Sequence, residues 1–73
     1  MLSAPLPNIL PAPDGSIDLN WDTDNINLLI NIPRDPEVPV SFYGEHNQKK
    51  EIEGSIELSL VDSILIPWLL SCQ

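Results

Sequence analysis

Asp14-Gly15-Ser16-Ile17-Asp18-Leu19-Asn20-Trp21-Asp22-Thr23-Asp24-Asn25-Ile26-Asn27-Leu28-Leu29-Ile30-Asn31-Ile32 is the stretch whose pattern decides the fold. Asp14-Gly15 is a turn signal, because glycine takes positive φ at no steric cost. After it, Ile17, Leu19 and Trp21 alternate with Ser16, Asp18, Asn20 and Asp22, and a period of two places the apolar set on one face of a strand. Asp22-Thr23-Asp24-Asn25 supplies turn formers. Ile26, Leu28, Ile30 and Ile32 then alternate with Asn27, Leu29 and Asn31, so the stretch predicts a β-hairpin with one buried face.

The same reading extends on the C-terminal side. Pro33-Arg34-Asp35-Pro36-Glu37 is a second break, followed by Val38-Pro39-Val40-Ser41-Phe42-Tyr43-Gly44, where Pro39 cannot donate to a ladder and marks an edge or a strand start. Glu45-His46-Asn47-Gln48-Lys49-Lys50 reads as a polar loop. Ile52, Ile56 and Leu58 alternate with Glu51, Glu53, Ser55 and Glu57, with Gly54 in the inward register. Four strands are therefore expected near 16–22, 26–32, 38–44 and 50–58. The core is expected to hold Ile17, Leu19, Trp21, Leu28, Ile30, Phe42 and Ile56.

From Ser59 the period changes. Ser59 with Asp62 three residues on resembles a capping box, and Leu60, Ile64 and Trp68 form one helical stripe beside a second of Val61, Leu65 and Leu69. A helix over 60–70 is expected, kinked or broken near 63–66 because Pro67 removes a hydrogen bond and crowds the preceding turn. The fold class is α+β: a four-stranded antiparallel meander with a C-terminal helix. Residues 1–13, which carry half of the eight prolines, form a separate extended arm ahead of a single domain at 14–73. Leu6, Ile9 and Leu10 make that arm sticky, and it is expected to lie along the domain or along a second subunit.

The 73 residues allow one small domain, and Ile, Leu, Val and Phe number 24 of them, enough for a core. Eleven acidic residues face only Arg34, Lys49 and Lys50, a formal net charge of −8. So few cations cannot neutralise phosphates, which argues against nucleic acid and anionic membranes as partners. The longest apolar run, Ile64 to Leu70, contains Pro67 and falls far short of the roughly 20 residues a membrane-spanning helix needs. Met1-Leu2-Ser3-Ala4-Pro5 lacks a basic segment ahead of an apolar one, so no secretion signal is expected. A single cysteine, Cys72, excludes an internal disulfide and suits a reducing cytoplasm.

Candidate chemistry is sparse. Asn20, Asp22 and Asp24 have the spacing of the first calcium-loop ligands, but Asn25 and Asn31 stand where glycine and a bidentate glutamate are needed. His46 sits in the polar loop without a second histidine, and nothing in the sequence brings it to Cys72. Glu51, Glu53 and Glu57 read as the solvated face of a half-buried sheet. No catalytic residue, metal ligand or cofactor site is expected, and the chain is not expected to be an enzyme.

Pro11-Ala12-Pro13-Asp14-Gly15-Ser16-Ile17-Asp18-Leu19-Asn20-Trp21, with the alternation at 27–32, resembles the opening of small uncharacterised bacterial proteins that carry a Pro-x-Pro-Asp-Gly-Gly-Ile-x-Leu-x-Trp pattern. These often form one member of a two-gene pair of toxin and antitoxin type. Ser16 replaces that group's second glycine, and Asn20 stands where an acidic residue is usual. The resemblance implies a cytoplasmic small protein bound to a partner, with no mechanism attached. The expected function is thus protein binding by an acidic, antitoxin-like member of a pair, through Leu6, Ile9, Leu10, Trp68, Leu69 and Leu70. The partner is a basic protein or a second copy in a homodimer. Two alternatives are a self-associating accessory domain and an acidic mimic of nucleic acid that blocks a basic protein.

Overall fold

Residues 6–72 are described by the computed structural model, and they form five antiparallel strands rather than four. The strands are β1 (Asn8–Pro11), β2 (Ile17–Asp22), β3 (Ile26–Ile32), β4 (Val40–His46) and β5 (Lys49–Ile56), in the simple order β1-β2-β3-β4-β5. The α+β class stands, and the strand count is corrected. The extra strand comes from the proline-rich arm: Ile9 pairs with Leu19 and Pro11 with Ile17. Proline lacks the N–H of a ladder and is tolerated where one side of a strand has no neighbour, which is β1's position at the edge. Met1 to Pro5 and Gln73 lie outside the described residues.

Local chemistry sets each turn. Between β1 and β2, Gly15 takes φ +89° while Asp14 accepts the Ser16 amide at 2.9 Å and the Ser16 hydroxyl at 2.7 Å. Those two bonds, the hydroxyl's first, hold the Asp14 carboxyl below its ordinary range. Between β4 and β5 only Asn47 and Gln48 turn the chain, at φ 55° and 66°, the left-handed pair of a tight hairpin. The expected six-residue polar loop is therefore two residues long, and His46 belongs to a strand.

Opposite residues in a ladder share a face, so Trp21, Leu28, Gly44 and Ile52 form one row, and Leu19, Ile30, Phe42 and Gly54 the next. These rows face the C-terminal segment. The other face is polar and internally bonded: Asn31 donates to Asp18 at 2.7 Å, Asn20 to Asn27 at 3.1 Å and Tyr43 to Glu45 at 2.7 Å.

The C-terminal segment is broken within the expected 63–66 stretch rather than kinked, and its α-helical part is confined to the end. A 3-10 turn at Leu58–Leu60 runs into a π turn at Val61–Leu65 and then into α1 (Ile66–Ser71). Pro67 is the reason. An α-helix through this point would need a Pro67 N–H to meet the Ser63 carbonyl, and there is none. The chain widens so that the Ile66 N–H reaches the Val61 carbonyl, and Pro67 falls in the first turn of α1, where no intrahelical donor is required. Ser59 caps nothing; it lies inside the 3-10 turn, whose N-cap is Glu57 without a side-chain bond.

Of the two apolar stripes, Leu65 and Leu69 of the second are buried and Val61 is half-buried, whereas Leu60 and Ile64 of the first remain exposed. Leu65, Leu69 and Cys72 close the core over Trp21, Ile26, Leu28, Ile30 and Val40. Leu19, Phe42 and Ile56 are only half-buried, packed at the margin of the core, and Ile17 is 39% exposed, next to the edge strand β1.

Candidate functional site

Among the described residues, a polar cluster at the β4–β5 side and exposed apolar residues at the β1 end bear most directly on function.

The first is a polar cluster over β4 and β5. Gly44 pairs with Ile52 and Glu45 with Lys50, so Glu51 is an extra residue, a β-bulge that breaks the alternation. A bulge re-aims a side chain, and here it turns Glu51 out of the row of solvated glutamates in which its sequence position puts it. One carboxylate oxygen, Oε1, accepts the Trp68 indole N–H at 3.2 Å, and the other, Oε2, accepts His46 Nδ1–H at 3.2 Å. Trp68 reaches that position because Gly44 has no side chain: a Cβ there would stand 2.8 Å from the indole ring and 2.6 Å from Ile52.

Cys72 completes the cluster. It follows α1 directly, its amide donates to the Trp68 and Leu69 carbonyls, and it is only 8% exposed. One donor atom from each of His46, Glu51 and Cys72 lies within 4.8 Å of the others. The expectation that nothing joins His46 to Cys72 is therefore overturned. Burial, with the Glu51 carboxylate acting in the same direction, pushes the Cys72 thiol up, away from the electropositive surroundings that activate a nucleophilic cysteine.

The second place is the β1 end. Leu6 is 94% exposed, Ile9 63% and Leu10 more than half, and Ile9 shares the inner face with its partner Leu19. Of the six expected interaction residues, then, three lie here. Trp68 and Leu70 are half-buried at the helical end, and Leu69 is fully buried in the core and offers a partner nothing. The described part of the arm does not lie along the helical segment, because residues 8–11 are committed to pairing with β2.

A groove of about 540 Å³ lies between the 33–39 loop and Glu57–Ser59. Pro33, Pro36, Val38, Pro39 and Leu58 give it an apolar lining, with Arg34 as its one cation. No helix among the described residues is long and apolar enough to cross a membrane. In comparisons with protein families, with curated proteins and with solved structures, nothing matches this chain.

Proposed function

We propose that this protein works by binding another protein of basic surface, in the manner of the neutralising member of a two-protein pair, through the β1 end of its sheet. The observation that carries the reading is the partial cover of the inner face. The helical segment closes the core over residues of β2, β3 and β4, while Ile9 and Ile17 stay bare on the same face of the sheet. Such a patch on a small acidic domain marks a contact surface. Asp14 lies in the turn beside it and Asp18 on the opposite face of the same strand, and with a net charge of −8 they attract a cationic partner to this end of the molecule. The same charge opposes a second copy, and Pro7 and Pro11 at the two ends of β1 blunt the edge against strand-to-strand pairing.

The test starts from the partner that co-purifies with the untagged chain from its native host, reconstituted from purified components. The reading expects a partner with a basic surface and binding that weakens steeply as salt is raised. It also expects a loss of at least tenfold in the Ile9→Ser/Ile17→Ser variant, its fold checked by circular dichroism. A partner that binds the double variant as tightly as the wild type contradicts it. A partner-free dimer by light scattering would replace it with self-association.

A further inference from the structure

We propose that His46, Glu51 and Cys72 form a zinc site that ties the C-terminus of the helical segment to the β4–β5 hairpin. The donor set is chemically apt. A thiolate, an imidazole and a carboxylate are the three side-chain types that hold Zn²⁺, and three protein ligands with a fourth position left to water is a recurrent arrangement for it.

The geometry is close to that of an assembled site. Tetrahedral bonds of about 2.0 Å to nitrogen and oxygen put those two donors about 3.3 Å apart. His46 Nδ1 and Glu51 Oε2 already stand at 3.2 Å, so the ion takes the place of the proton between them with almost no movement. Cys72 Sγ, inside the 4.8 Å cluster, has to approach by only about 1 Å to reach the spacing that zinc–sulfur bonds of about 2.3 Å require. The Trp68 indole N–H on Oε1 holds the glutamate so that Oε2 points at His46, the outer-shell support that metal-ligating carboxylates ordinarily have. An ion can enter from solvent past the Glu51 and His46 side chains, which are 43% and 27% exposed.

The three ligands come from three separate devices: the end of a strand carried on to a two-residue turn, a bulge, and the residue after a short helix. A solvated His–Glu pair needs none of these. Cys72 belongs to the core, and what a metal site accounts for is the convergence of its thiol with that pair at the core's margin.

Titration of the full chain with Zn²⁺ by calorimetry, repeated with Co²⁺ by absorption spectroscopy, tests the assignment. One ion per chain is expected, with a raised melting temperature and a thiolate-to-cobalt charge-transfer band. His46→Gln and Glu51→Gln should each weaken binding at least tenfold, and Cys72→Ser should abolish the band. Lys49→Ala, on the same hairpin but outside the cluster, should change nothing. Because Cys72 is in the core and its serine variant can lose stability, the surface variant His46→Gln decides the matter independently. Absence of saturable binding at millimolar zinc, binding indifferent to His46→Gln, or a cobalt complex without the thiolate band would each overturn the proposal.

Discussion

Trp21 is the residue on which the sheet's interior depends. It is nearly fully buried, opposite Leu28, and Trp21→Ala should cost about 3–5 kcal/mol, which in a domain this small amounts to unfolding at ambient temperature. A thermal melt close to wild type would place the indole on the surface. Gly44 makes a subtler demand. With Trp68 and Ile52 both inside 3 Å of any added Cβ, Gly44→Ala forces the helical segment away from the sheet, at about 1–3 kcal/mol. If the variant melts with the wild type, Trp68 is not where the structure has it. Asp14 carries a pH dependence. Its carboxyl is held below the ordinary value of 3.8, so the folded state favours the ionised form, and the stabilisation is present above that value and lost as pH falls through it. Asp14→Ala should therefore melt below the wild type at pH 7, with the gap closing as the pH falls below 3.8; a gap independent of pH would assign the effect to the turn alone. The buried positions Trp21, Leu28 and Ile30 were legible from alternation, because alternation is a local property. The cluster of His46, Glu51 and Cys72 was not, because each residue reaches it through a departure from regularity. Alternation puts Glu51 in solvent, where it is, but carries no sign of the bulge that aims its carboxylate at His46 and Trp68.

Among the elements, the four strands read from periodicity recur within two or three residues of their expected bounds. The two elements that differ both involve proline. Pro7, Pro11 and Pro13 suggested an arm outside the sheet, yet a strand at an edge needs ladder bonds on one side only, and β1 forms with Pro11 as its last residue. Pro67 was read as damage to a helix, whereas the chain opens a π turn ahead of it and restarts, leaving proline in a first turn where it is tolerated. That difference is measurable. If Pro67 interrupted a continuous helix, Pro67→Ala would raise stability by about 3 kcal/mol. The arrangement here expects a change within about 1 kcal/mol in chemical denaturation, since no ladder bond is regained in the first turn of α1.

The molecule as a whole is a sheet covered from one end. Its helical segment contributes Leu65, Leu69 and Cys72 to the core and sets Trp68 against Gly44 and Ile52, at the β4–β5 side. The part of the apolar face that carries Ile9 and Ile17 is left to whatever binds there. Both proposals depend on this division, since the bare end supplies the protein contact and the covered end assembles the His46–Glu51–Cys72 cluster. The division rests on one structural claim, that the arm is the fifth strand and does not lie on the helical segment. Nuclear Overhauser contacts in the uniformly labelled full chain test that claim most directly. The account predicts cross-strand backbone contacts of Ile9 with Leu19, together with contacts from the Trp68 ring to Gly44 and Ile52. Contacts from Leu6, Ile9 or Leu10 to Leu60 or Ile64, with none to β2, would contradict it.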